Sequence, residues 1–358
     1  MSHAPRVAAT ILTLAAVLPA AASAARRAPQ PLRDLAPVST AGFRDWTGPS
    51  TKPRARAATD SPVVTYRTQA GEAVRVNFSG SYTPDPQVAQ AYADFLGNLP
   101  HGSELSRLRV YIATPDEVQA DCGGVDGTLA CYNSANLTMT VPGQETADDG
   151  SGITTAYVVA HEYGHHIANF RANPPFPTVA FGPKYWASQE LVCDRTIEKK
   201  LFPGDEDQHY LQNPGEAWAD TYAHLVYPDA TWQFTPLLTP TTESKAAALR
   251  DVLQPWTRPV SRVFRGQLTA RGPRTESFEF ALHLDGSLRV RLAGPRHANF
   301  DISVSSDGHH IHTTRARGSR DSYSTRYACR ERLTEEVRLT VVRRSGSGPF
   351  TLKLDYAG

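Results

Sequence analysis

Thr154-Thr155-Ala156-Tyr157-Val158-Val159-Ala160-His161-Glu162-Tyr163-Gly164-His165-His166-Ile167-Ala168-Asn169-Phe170 is the stretch on which the fold turns. It reads as one helix. Thr154 or Thr155 can cap its start, and Asn173-Pro174-Pro175 ends the helical run. Val158, Val159 and Ile167 give it an apolar body. Inside that body His161 and His165 stand four apart, on one helix face, so both imidazoles can reach a single ion. Zinc suits imidazole nitrogen. Glu162 lies beside the pair without joining it, placed to take a proton from water that the metal acidifies. The plain alternative is a surface helix with solvated histidines.

A zinc site that does chemistry takes three protein ligands and leaves a fourth position open. One continuation of the motif needs Gly at position 168 and His at 171, where this chain has Ala168 and Arg171. The better source lies downstream, in Asn213-Pro214-Gly215-Glu216-Ala217-Trp218-Ala219-Asp220. Asn213 is a good helix N-cap and Pro214 suits the first helical position. Glu216 and Asp220 share a face of that helix, and Ala217 and Ala219 allow it to pack closely on the first. Glu216 is then the candidate third ligand, with Asp220 set to bond the far nitrogen of a ligand His and fix its tautomer. Two alternatives stay open. Glu216 three residues past Asn213 also fits a capping box, and Asp194 is an aspartate option with little sequence context around it. For the group that stabilises an oxyanion, Tyr210 ranks first among Tyr210, His209, Tyr222 and His224. His166 points about 100° away from His165 around the helix and reads as structural.

These residues resemble the gluzincins, zincin-fold peptidases with His-Glu-x-x-His on one helix and Glu-x-x-x-Asp on a later one. The likeness runs loosely from Tyr82 to Tyr227. The step from His165 to Glu216 (216 − 165 = 51) exceeds the thermolysin pattern, so the resemblance is to the clan and not to that family. It implies an α+β zincin-like catalytic domain and one Zn2+ per chain held by His161, His165 and Glu216. It also implies hydrolysis of protein or peptide substrates with Glu162 as general base. The strand before the active helix, Leu137 to Val141, would pair with extended substrate.

Around this centre, Val63 to Thr68 and Ala73 to Phe78 read as a hairpin turning at Gly71. Pro86 to Leu99 reads as a helix, Leu108 to Thr114 as a strand, and Ala187 to Leu201 and Glu243 to Leu253 as further helices. After Pro255 the pattern changes to short alternating runs separated by Gly, Ser and Asp turns, the pattern of an all-β antiparallel sandwich. The expected division is 61–254 for the catalytic domain and 255–358 for the sandwich. Asn299-Phe300-Asp301-Ile302-Ser303-Val304 and Gly346-Ser347-Gly348-Pro349-Phe350-Thr351-Leu352 resemble the bacterial pre-peptidase C-terminal domain; an unrelated sandwich with the same turn chemistry fits equally. His309, His310 and His312 read as a strand-turn edge, with a second metal site as the alternative.

The N-terminus has the form of a signal peptide over 1–24. Val7 to Ala20 is apolar but shorter than the ~20 residues of a membrane span, and Ala22-Ser23-Ala24 matches a cleavage site. Residues 25–60 read as a linker or short propeptide. The expected product is a secreted chain with no membrane span. Its 358 residues are 40% apolar with a net charge of +1, so bulk charge gives no sign of a nucleic-acid partner. Four cysteines in an exported chain suggest two disulfides. Cys122 and Cys131 flank a turn-forming stretch and form the first. Cys193 either pairs with Cys329 or stays a buried thiol. The competing function is an exported binding or adhesion protein with an inactive zincin domain. A zinc hydrolase of non-peptide amides is a third reading.

Overall fold

The computed structural model describes residues 59–123, 127–143, 153–205, 208–230, 233, 235–327 and 335–358. The signal peptide, nearly all of 25–60, and Cys329 lie outside them. β1 (Val64–Arg67) and β2 (Ala73–Phe78) form a hairpin that turns at Gly71, whose φ of +85° a side chain would resist. α1 (Pro86–Asn98) starts where the Asp85 side chain accepts from the Gln87 N–H. β3 (Arg109–Ala113) comes next, then α2 (Pro115–Asp121), closed by a capping box of Thr114 and Glu117. β4 (Cys131–Asn133) and β5 (Thr138–Pro142) complete a sheet of order β1-β2-β3-β5-β4. β2, β3 and β5 run parallel, with β1 and β4 antiparallel at the two edges.

This order corrects the substrate-strand expectation. β5, the strand read from Leu137 to Val141, is buried throughout and hydrogen-bonded on both sides, to β3 and to β4. Its edges are taken. The edge strand beside β5 is β4, a three-residue strand too short to announce itself by alternation. The Cys122–Cys131 disulfide fastens it to the end of α2. Cys193 is also disulfide-bonded; the expected partner, Cys329, falls outside the described residues.

α3 (Thr155–Asn169) is capped by the Thr154 hydroxyl, which accepts from the Tyr157 N–H. Three short helices come after it: α4 (Thr178–Phe181), α5 (Lys184–Gln189) and α6 (Val192–Ile197). The last two helices are α7 (Pro214–Val226) and α8 (Thr242–Leu253). The single helix expected over 187–201 is two, broken at Leu191 in the left-handed conformation (φ +51°). α5 begins earlier than expected because the Asp251 carboxylate of α8 accepts from the Tyr185 and Trp186 N–H groups, donors that a helix start leaves unsatisfied. Burial pushes the Asp251 carboxyl up to about 7.

α3 and α7 pack at a glycine. A Cβ on Gly164 would stand 2.9 Å from the Ala219 Cα and 3.2 Å from the Tyr222 Cβ, and the Trp218 indole N–H donates to the Gly164 carbonyl at 2.8 Å. Gly164→Val should overpack this contact at about 1–3 kcal/mol. A thermal melt is expected to show the midpoint several degrees lower; an unchanged midpoint would mean the helices part without penalty.

The remaining strands are β6 (Val260–Leu268), β7 (Thr275–Leu282), β8 (Gly286–Ala293), β9 (Asn299–Ser306), β10 (His309–Thr313), β11 (Arg320–Tyr327), β12 (Glu335–Ser345) and β13 (Gly348–Tyr356). They make two antiparallel four-stranded sheets, β10-β9-β12-β7 and β11-β8-β13-β6. Apolar residues between them, among them Leu288, Val290, Ile302, Leu339 and Leu352, form a core separate from that around α3 and the first sheet. The histidine-rich tract falls on the edge strand β10. Lys184 joins the two halves. Its buried ammonium donates to the carbonyls of Pro174 (2.6 Å) and Asp285 (2.7 Å), and the Asp285 N–H donates to the Ser188 hydroxyl at 3.1 Å. Burial pulls Lys184 down to about 8. Among the described residues no helix is long and apolar enough to cross a membrane.

Candidate metal centre

α3 presents His161 and His165, and the first turn of α7 presents Glu216. His161 Nε2 stands 3.2 Å from Glu216 Oε2, and His165 Nε2 stands 3.4 Å from Glu216 Oε1. The three residues offer one ligand atom each within 4.8 Å of one another, the one such group of His, Cys, Asp or Glu among the described residues. All three are nearly enclosed, at 5%, 9% and 6% exposure. Two imidazole nitrogens and a carboxylate form a donor set that suits zinc. The spacing fits as well, since tetrahedral ligands about 2.05 Å from an ion stand roughly 3.3 Å apart.

The helix start explains why Glu216 is available. Asn213 Oδ1 accepts from the Gly215 N–H at 3.0 Å and caps α7 by itself. Glu216 turns instead to the two imidazoles, so the capping box left open by the sequence is not formed. Burial alone would push the Glu216 carboxyl up, but His165 and His161 outweigh it and hold the group below the usual carboxylate range. Glu162 behaves oppositely. Burial pushes its carboxyl up and Glu216 adds to this, while His165, His161 and the Tyr132 backbone offset part of the shift.

Tyr210 opens a single helical turn before α7, and its hydroxyl donates to Glu216 Oε2 at 3.3 Å from a position 37% exposed. It stands at the rim of the centre. Asp220 accepts from the Tyr157 hydroxyl and lies 3.5 Å from His224 Nδ1. Tyr157 also stands 3.1 Å from that nitrogen. Sequence reasoning missed Tyr157, though it lies one turn before His161 on the same face of α3, the spacing already used to pair the histidines.

The other candidates are employed elsewhere. His224 Nε2 faces the Ala230 carbonyl, His209 is held by Asp205 and stacks on Phe202, and Tyr222 donates to the Pro100 carbonyl at 2.7 Å. His166 is structural: its nitrogens meet the Tyr132 hydroxyl and the Glu104 carbonyl, each at 2.9 Å. Burial lowers its pKa. Arg171, where the other zinc pattern would place a ligand, pairs with buried Glu104 at 3.1 Å. Asp194 is buried on α6, outside the ligand group.

No family model and no curated protein matches the chain. Among solved structures it is similar to the pre-peptidase C-terminal domain of a collagenase from Bacillus anthracis, with 12% identity and a TM-score of 0.22 over 26% of this chain and 89% of that one. It is also similar to dimeric latent PorU from Porphyromonas gingivalis, with 15% identity and a TM-score of 0.18 over 28% of this chain and 13% of that one. Likenesses this slight carry no argument about fold or activity.

Proposed function

We propose that the chain is an exported zinc peptidase, with a zincin-like catalytic domain over 61–254 and a β-sandwich over 255–358. One observation carries the reading: the Nε2 atoms of His161 and His165 converge on the two oxygens of Glu216, and Glu162 lies buried beside them. His161, His165 and Glu216 would hold the ion. Zinc, when bound, supplies a Lewis acid that acidifies water and polarises a carbonyl.

The chain's own groups do the rest. Glu162 accepts the proton that the attacking water gives up and returns it to the leaving amine. Its buried setting raises its proton affinity above that of an exposed carboxylate. Tyr210, at the rim, has a hydroxyl that can leave Glu216 and donate to a developing oxyanion. β4 offers the edge to which an extended peptide can add as a strand. The Asp220, Tyr157 and His224 cluster fixes the second turn of α7 behind the ligands.

The purified protein is expected to hold about one zinc per chain. A strong chelator should remove it with loss of casein hydrolysis and a lower melting temperature, and added zinc should restore both. Active protein free of zinc would overturn the proposal. Zinc-loaded protein that cleaves neither casein nor mixed peptides would leave a binding protein in its place.

A further inference from the structure

The chain is nearly neutral, with 37 Lys and Arg against 36 Asp and Glu. The outer face of the β11-β8-β13-β6 sheet is not. Strand register puts Arg291 of β8 opposite Lys353 of β13 and Arg289 opposite Asp355, with Arg265 of β6 and Arg320 and Arg326 of β11 on the same side. The alternate residues of β8 and β13 fill the core, which leaves these cations on the solvent side. The acid on this face is Asp355, already engaged by Arg291 at 3.2 Å, Lys353 at 3.9 Å and the Ser261 hydroxyl. No carboxylate of the described residues pairs with Arg265, Arg289, Arg320 or Arg326. The opposite sheet differs. On its outer face Arg338 pairs with Glu279 at 2.6 Å, and Ser277 bonds to Thr340 at 2.8 Å. An arginine-rich composition would have loaded both faces alike.

Neighbouring strands stand about 4.8 Å apart and alternate residues of one strand about 6.8 Å apart, so the cations form a flat grid. Like charges held this close repel one another, and an anionic partner relieves that repulsion while releasing its own counterions. The face has no aromatic side chain to stack on bases or sugar rings. Apart from Val263 it has no large apolar side chain to enter a membrane interface or anchor a folded protein. A peptide would engage a sheet through its edge rather than its face. We propose that this face docks a linear polyol-phosphate polymer, a chain of phosphodiesters without bases, read by charge alone. The metal centre plays no part in this binding.

The test uses the full chain and poly(glycerol phosphate) as probe, with polyglutamate, a single-stranded oligonucleotide and anionic-lipid vesicles as comparison arms. Binding to poly(glycerol phosphate) should be the tightest and should weaken steeply with salt. The triple variant Arg289→Gln, Arg291→Gln, Lys353→Gln should lose tenfold or more in affinity at low salt. Its slope of log K against log salt should be shallower by about 2, at ~0.7 per lost phosphate contact. Casein hydrolysis and the melting temperature should not change. Arg338→Gln, on the other sheet, should bind as the parent does. Should the triple variant fold poorly, Arg289→Gln and Arg326→Gln singly should each lose about twofold to threefold. Absence of binding, indifference to these substitutions, or tighter binding of any comparison probe would overturn the proposal.

Discussion

Glu216→Ala is expected to abolish peptide hydrolysis and to weaken zinc retention by more than the roughly 10–100-fold that a partner behind the ligands costs. The carboxylate is the only acid among the described residues within reach of both imidazole Nε2 atoms, one oxygen toward each. Without it the two histidines of α3 lose the carboxylate that α7 brings to them. Helix α7 itself should survive, since its cap is the Asn213 side chain and not Glu216. Zinc content and thermal melting, measured on the same preparation, separate a ligand from a helix-start residue. A ligand loses metal with the metal-free fold nearly intact. A capping role would cost about 1 kcal/mol of stability and leave zinc in place. Full zinc occupancy in the variant would remove Glu216 from the site and make Asp194 the next residue to change. Asp220→Ala, which removes the partner of Tyr157 and His224, should weaken zinc retention less than Glu216→Ala does.

Glu162→Gln should keep zinc and lose most turnover, on the order of 10²–10⁴-fold in kcat. The amide keeps the shape of the side chain and cannot take a proton. The buried surroundings that push the Glu162 carboxyl up make its ionised form costly to hold, so a neutral amide should fit without loss of stability. Metal analysis and a melt therefore serve as controls, and kcat is the readout. Turnover at the parent rate would dismiss Glu162 as the proton acceptor.

The centre was legible where local chemistry and helical period agree. His161, His165 and Glu216 could be brought together because the histidines obey a four-residue spacing and Asn213-Pro214 marks where α7 begins, whereas Asp220, read as the partner of a ligand His, stands against Tyr157 and His224. What failed was decided by partners distant in sequence. β4 has three residues and no pattern, and only the sheet order reveals that it, and not β5, owns the free edge. The early start of α5 is tied to Asp251, some sixty residues later, and the break at Leu191 is a left-handed residue that no glycine marks. In the sandwich the alternating runs located most strands but not β11, whose Arg, Ser and Thr residues hide the alternation of its inner Asp321, Tyr323 and Thr325. The basic face was likewise invisible in a chain of net charge +1, because register across four strands assembles it.

The short strand β4 has a mechanical consequence. Its Tyr132 backbone bears on Glu162, the same residue's hydroxyl meets His166 and Asn169 of α3, and the adjacent Cys131 is bolted to α2. On the proposed function, a peptide added along that edge would bear on the strand that contacts Glu162. Docking and readiness would then be one movement, with the strand as a gauge of substrate length. Peptides long enough to lie along β4 should gain in kcat, while truncated ones would occupy the centre without setting it.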